Sequence, residues 1–68
     1  MKRFCKPSYK KAEIKKVDDF INEVLGLCKK YNLSIGHEDT EGGFIVHEGY
    51  KEENADWLKD ATYEMGTV

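Results

Sequence analysis

One long helical pattern near the start of the chain limits what this sequence can fold into. Between Tyr9 and Tyr31, apolar residues recur at steps of three and four, which is the period of one helix face. These positions are Ile14, Val17, Ile21, Val24, Leu25, Cys28 and Tyr31, and Phe20 and Leu27 widen the stripe. The predicted helix has roughly 22 residues and a length of about 33 Å. Only 37 residues follow it, too few to cover its apolar face, so we expect a second copy of the chain to share that face.

Local signals mark where the predicted helices begin and end. Pro7 and Ser8 precede the long helix, with Ser8 as the predicted N-cap, and Asn32 suits the left-handed conformation that ends a helix. A second helix is predicted from about Lys51 to Tyr63, because its first turn is acidic and its apolar residues have inward spacing. The residues before Tyr9 have no such periodicity and are interpreted as a basic arm.

Two short β-type runs, 33–38 and 44–50, lie between these helices. The glycine-rich segment 39–43 that separates them predicts a hairpin. The predicted register pairs Glu38 with Gly43 and has these facing residues: His37 with Phe44, Gly36 with Ile45, Ile35 with Val46, Ser34 with His47, and Leu33 with Glu48. Two strands alone are barely stable and have open edges, so pairing across a subunit boundary would complete the sheet.

The sequence therefore predicts an α+β fold that is completed by oligomerisation. Residues 9–68 form one small α-β-β-α domain with a long N-terminal helix, a β-hairpin and a short C-terminal helix, and residues 1–8 form the basic arm. A chain of 68 residues, 40 % of them apolar, can bury one thin core and is marginal without further support. We expect a homo-oligomer, and a dimer of dimers is the predicted form.

Size and hydropathy also bear on the class of function. A core this thin leaves no room for a deep catalytic cleft, so we do not expect an enzyme or a bound cofactor. The mean hydropathy is −0.69 and the longest apolar run has three residues, so no membrane span is predicted. The first residues are basic but lack the apolar segment of a secretory signal. We expect a cytoplasmic protein.

The charges divide sharply along the chain. Residues 1–16 contain seven basic residues and one acidic residue, whereas the rest contains four basic and twelve acidic residues. A basic arm of this kind can engage phosphate, dock on the acidic body of a neighbouring copy, or act as a solubilising tail. The acidic body would be repelled by a continuous phosphate track, so duplex nucleic acid is not an expected partner. A small ligand with one or two phosphates does not meet that repulsion.

Two groups of residues are candidates for ligand binding. The carboxylates of Glu38 and Asp39, at a strand end, can accept hydrogen bonds from a guanine edge, and His37 beside them can stack or donate. The alternative is a solvated turn whose histidine packs against Phe44. Basic residues interleaved with aromatic ones suit phosphates and bases, and the lone tryptophan is either core or a rim residue on which a base stacks. The predicted ligand-binding residues are Arg3, Lys6, Tyr9, His37, Glu38, Asp39 and Trp57.

Metal binding and catalysis have weaker signals. A metal site from His37, His47, Asp39 and Cys28 is conceivable, but the two histidines do not converge well across a hairpin. Ser34 opposite His47 suggests a nucleophile with a base, yet neither an oxyanion site nor an orienting group can be named. We therefore predict no catalytic residue and no metal ligand.

The second half of the chain resembles a widespread group of short phage-encoded proteins. The pattern of that group is approximately L-S-[IL]-S-H-E-D-x-x-G-A-F-x-[IV], followed by a tyrosine, an asparagine and W-L-x-x-A. Here it reads Leu33-Ser34-Ile35-Gly36-His37-Glu38-Asp39, then Gly42-Gly43-Phe44-Ile45-Val46, and later Tyr50, Asn54, Trp57, Leu58 and Ala61. Gly36 stands where the pattern has serine and Gly43 where it has alanine, and these two departures beside the most distinctive positions could alter the choice of ligand.

The group resembles the anti-CBASS sponge proteins, which form oligomers and sequester the cyclic nucleotide signals of bacterial antiphage defence. The resemblance implies a phage immune-evasion sponge in the cytoplasm of the infected bacterial host cell, with a cyclic (di)nucleotide such as 3′,3′-cGAMP as ligand and without cleavage. It does not identify the contact residues, which are predicted from their chemistry alone. Two alternatives remain open: a phage protein that inhibits a host enzyme by direct protein contact through its acidic body, and a purely structural oligomer.

Overall fold

The computed structural model describes residues 1–37 and 42–65. Within these residues the chain forms two helices and five strands, which confirms the α+β class. In chain order they are β1 (Lys2–Lys6), β2 (Lys10–Glu13), α1 (Lys15–Tyr31), β3 (Leu33–His37), β4 (Phe44–Glu48), α2 (Glu52–Lys59) and β5 (Tyr63–Glu64). The predicted α-β-β-α order occurs from α1 to α2, and the structure adds three strands outside it.

These added strands form a sheet in the order β2-β1-β5. β1 is central, antiparallel to β2 and parallel to β5. The predicted basic arm therefore differs from the structure, because residues 2–6 are the middle strand of this sheet. Arg3 and Cys5 are buried while the residues on either side of each are exposed, which is the alternation of a half-buried strand. That alternation was hidden in the sequence because a basic residue, Arg3, takes a buried position and an aromatic residue, Phe4, takes an exposed one.

The long helix begins later than predicted. Residues 10–13 pair with β1, and Ile14 precedes α1 in an extended conformation. Tyr9 has a positive φ of 57° and turns the chain between β1 and β2, so it cannot belong to a helix. Ser8 is not the N-cap, because its hydroxyl contacts Cys5 O at 3.4 Å instead. The helical period over residues 9–14 was therefore coincidental.

The C-terminal end of α1 and the hairpin agree with the sequence. Asn32 has φ 53° and ψ 51°, the left-handed conformation that was predicted for it. In the hairpin, β3 and β4 are antiparallel, and their five partner pairs are the predicted ones from Leu33 with Glu48 to His37 with Phe44. The helix α2 is shorter than predicted, because residues 63 and 64 form β5 beside β1. Neither described helix is long and apolar enough to cross a membrane.

A small core lies between the two helices. Ile21 and Leu25 of α1 and Ala55 of α2 are buried together, and the partly buried residues packed against them are Val17, Tyr50, Leu58 and Ala61. Few large side chains are fully enclosed, as expected for a chain of this length. The core fixes the angle of α2 against α1 and so sets the position of the candidate site.

Arg3 joins the three-stranded sheet to the rest of the fold. Its side chain is almost wholly buried; Nη2 donates to Asp18 Oδ1 at 2.7 Å and Nη1 donates to Ala61 O at 2.9 Å. The hydrogen bond from Arg3, followed by one from the Met1 ammonium, holds the pKa of Asp18 below its ordinary value. One guanidinium thus connects β1, α1 and the segment after α2.

Candidate functional site: an aromatic groove between the hairpin and α2

A groove of about 230 Å³ runs between the β3–β4 hairpin and α2. Its walls are mainly apolar, with one amide and one imidazole among them. The lining residues are Ile35, Gly36, His37, Phe44, Asn54, Trp57, Leu58 and Ala61. Concave apolar surfaces with few polar groups are typical of small-molecule sites.

Three aromatic rings border this groove. His37 and Phe44 face each other across the two strands in an edge-to-face arrangement, with ring centroids 6.1 Å apart and planes at 83°. Phe44 is 82 % exposed and Trp57 is 68 % exposed. Water contact over so much aromatic area is unfavourable unless a ligand or partner covers it. Trp57, which the sequence left between core and rim, is therefore a rim residue.

Phe44 and Asn54 line the groove although neither was predicted as a site residue. Asn54, Trp57 and Leu58 follow each other at i, i+3 and i+4, which places them on one face of α2, and Ala61 lies just after that helix. This spacing was visible in the sequence and could have identified Asn54. Phe44 was recognised only as the packing partner of His37. Its exposure could not be inferred, because strand patterning does not tell how far a sheet extends beyond the helices that cover it.

A short hydrogen-bond network holds α2 in place beside β3. The buried Ser34 hydroxyl donates to Gly49 O and accepts from Lys51 N–H, both at 2.7 Å. Asn32 Oδ1 accepts from Tyr50 N–H at 3.0 Å. Because Lys51 immediately precedes α2, these bonds fix where that helix begins and hence where Asn54 and Trp57 lie along the groove.

The structure separates the remaining predicted site residues. Arg3 is buried and bonded within the fold, so its assignment as an exposed phosphate contact is wrong. Lys6 ends β1, and Tyr9 lies exposed in the turn after it, so neither lines the groove. Glu38 and Asp39 lie outside the described residues, and their predicted role stays a prediction.

Charge is distributed unevenly around the groove. Its described lining contains no lysine or arginine, and α2 and the residue after it carry Glu52, Glu53, Asp56 and Asp60 against one lysine. The outer face of the three-stranded sheet carries Lys2, Lys6 and Lys11 around the half-exposed ring of Phe4, together with Glu13 opposite Lys2 and Glu64 opposite Lys6. Lys11 Nζ lies 5.3 Å from the centroid of that ring.

The geometry also bears on whether Ser34 can act as a nucleophile and whether the described residues can hold a metal ion. The Ser34 hydrogen is donated to Gly49 O, so His47 does not activate this hydroxyl as a nucleophile. Across residues 1–37 and 42–65 there is no group of three or more His, Cys, Asp or Glu positioned to hold a metal ion. Cys5 and Cys28 are both buried and unpaired with each other.

Comparisons of the chain with protein-family models, curated proteins and solved structures find no match.

Proposed function

We propose that this protein binds a cyclic (di)nucleotide such as 3′,3′-cGAMP and sequesters it without cleavage, as a phage immune-evasion sponge. The observation that carries the proposal is the groove bordered by His37, Phe44 and Trp57. Each purine has two flat faces that stack on aromatic rings, and such stacking contributes about 1–3 kcal/mol per base. Sequestration requires binding only, and the proposal assigns no chemical step to any residue.

Polar groups beside the rings would select the base. The half-buried Asn54 amide offers a donor and an acceptor inside the groove. Glu38 and Asp39 directly follow His37 in sequence, and as ionised carboxylates they would accept the N1–H and N2–H of guanine. Together these groups favour a guanine-containing ligand over one with adenine alone.

The phosphates require positive charge from outside the groove. Since α2 is acidic, a ligand phosphate beside it needs lysines from another surface. The outer face of the three-stranded sheet offers Lys2, Lys6 and Lys11, which outnumber Glu13 and Glu64 on the same face. We propose that this face of a neighbouring copy meets the groove, so that the ligand is held between two chains of a homo-oligomer.

A thermal-shift screen with cyclic di- and trinucleotides tests the binding. We expect a guanine-containing cyclic dinucleotide to raise the melting temperature at micromolar concentration, and chromatography of the heated sample to recover it intact. Trp57→Ala and Phe44→Ala should each weaken binding about 5- to 100-fold, which is the loss of one stacking contact. Val46→Ala is the matched control, since Val46 is an exposed apolar residue of the same hairpin that does not line the groove. A complete absence of shifts would contradict the proposal.

Direct inhibition of a host enzyme remains the alternative, and one observation favours it. Exposed Trp57 stands among the acidic residues of α2, a combination that suits a basic, partly apolar protein surface. Under this alternative no cyclic nucleotide stabilises the protein, and a purified host enzyme binds it with an affinity that falls as salt increases. Trp57→Ala would then abolish inhibition of that enzyme.

A further inference from the structure

The apolar surface of α1 is wider than the core that covers it. On a helix with 3.6 residues per turn, Val17, Ile21, Leu25 and Cys28 share one sector, and these face the rest of the fold. Phe20, Leu27 and Tyr31 lie beside them within a sector of about 40°. They are 64 %, 54 % and 63 % exposed. We call these three residues the α1 stripe.

The α1 stripe continues into a second groove. Phe20 lines an apolar cavity of about 430 Å³ together with Val17, Leu58, Ala61 and Tyr63. Stripe and groove thus form one continuous apolar surface along α1, and exposed surfaces of this kind mark interaction sites. The charged residues beside the stripe indicate which partner covers this surface.

Three charged residues border the α1 stripe at steps of seven: Lys16, Glu23 and Lys30. If two copies of α1 packed in parallel about a two-fold axis, the charged borders of the two copies would lie on opposite sides of the contact and would not meet. If they packed antiparallel about a point between Gly26 and Leu27, Glu23 of each copy would face Lys30 of the other. The border is therefore complementary to itself in one orientation only.

The same antiparallel packing also matches the apolar residues. Leu27 meets Leu27 of the second copy near the axis. Phe20 comes within about 3 Å, measured along the helix, of the level of Tyr31 of the second copy. That tyrosine then lies at the mouth of the groove beside Phe20. Charge and shape thus select the same partner, which is this chain itself.

We propose that α1 pairs with α1 of a second copy, antiparallel about a two-fold axis, through the α1 stripe and two Glu23–Lys30 ion pairs. A two-fold interface uses the same patch on both copies, as this one does. The inference rests on the self-association in the proposed function and adds a second surface, separate from the ligand-bridged contact between the sheet and the groove, together with its orientation.

Sedimentation equilibrium of charge and apolar variants tests the interface. Leu27→Glu should convert the dimer to monomer while leaving the helical circular dichroism unchanged, since Leu27 is already half-exposed. Val46→Glu is the matched control, with the same kind of change on the hairpin, and should remain dimeric. Glu23→Lys and Lys30→Glu alone should each weaken dimerisation about 5- to 30-fold, because two attractive pairs become repulsive.

Mixing the two charge variants tests the orientation. An equimolar mixture of Glu23→Lys and Lys30→Glu should form heterodimers of parental affinity, and the double variant should recover homodimerisation. A monomeric parent at high micromolar concentration, a dimeric Leu27→Glu, or a mixture that stays monomeric would each overturn the inference.

Nucleotide titrations of the same samples keep the two proposals apart. A dimer that needs Leu27 but binds no cyclic nucleotide leaves the interface standing and refutes the proposed function. A parent that binds nucleotide but stays monomeric refutes the α1 interface and the two-chain site, while nucleotide binding itself stands. A dimer that ignores Leu27→Glu refutes the α1 interface alone.

Discussion

The Ser34 hydroxyl offers a quantitative test of how α2 is held against the hairpin. Ser34→Ala removes one bond donated to Gly49 O and one accepted from Lys51 N–H, both at 2.7 Å. Each such bond contributes about 0.5–1.5 kcal/mol net, so the free energy of unfolding should fall by about 1–3 kcal/mol. For a domain of this size that corresponds to a decrease in melting temperature on the order of 5–20 °C.

Urea denaturation followed by circular dichroism measures this loss, and Ser8→Ala is its control. Ser8 is exposed and its two contacts are long, at 3.4 Å, so removing that hydroxyl should change stability by less than about 0.5 kcal/mol. A Ser34→Ala variant within that same range would refute the assignment of the network as the anchor of α2. Ligand affinity should also fall in Ser34→Ala, because Asn54 and Trp57 lie on the helix that is released.

Three further predictions concern charge. Arg3→Ala should lower the free energy of unfolding by about 1–3 kcal/mol in a urea titration, because the hydrogen bonds to Asp18 and Ala61 O are lost. Lys15→Ala removes only an exposed ion pair with Asp19 and should have little effect in the same titration. The Asp18 pKa is lowered from 3.8, so its stabilising contribution is present above that pH and is lost as pH falls through the lower, folded-state value. Acid titrations of thermal stability should show this loss in the parent and not in Asp18→Asn. An all-adenine cyclic dinucleotide should bind roughly ten- to a hundredfold more weakly than a guanine-containing one in calorimetry. Asp39→Asn should reduce this difference in affinity, and EDTA should leave binding of both ligands unchanged. Equal affinity of the parent for the two ligands would contradict the role of the carboxylates.

Some parts of the fold could be predicted because they depend on local chemistry. Asn32 tolerates the left-handed conformation that ends α1, and the turn signals of the hairpin set its register. The strands β1 and β2 could not be predicted in the same way. Their inward positions include an arginine, and only the distant Asp18 and Ala61 O make its burial favourable.

The candidate site, like the fold, could be predicted only in part. The sequence identified His37 and Trp57 by chemistry, and the structure places both in one groove. Arg3 was misassigned because a basic residue near a chain terminus is typical of a solvated segment. Which cations could meet a phosphate depended on which strand faces were exposed, and that became visible only once the three-stranded sheet was known.

The pairing of β1 with β5 has a consequence for the order in which the chain acquires its structure. The hairpin β3–β4 closes within a short stretch of chain, whereas Arg3 Nη1 must wait for Ala61 O, 58 residues away. Contacts so distant in sequence form slowly. During synthesis, β1 and β2 emerge first with one hydrogen-bonding edge of β1 still open. Tyr63 and Glu64 of β5 later pair with this edge, and Met65 N–H donates to Lys6 O. Until these residues have left the ribosome, the edge stays available to other nascent chains.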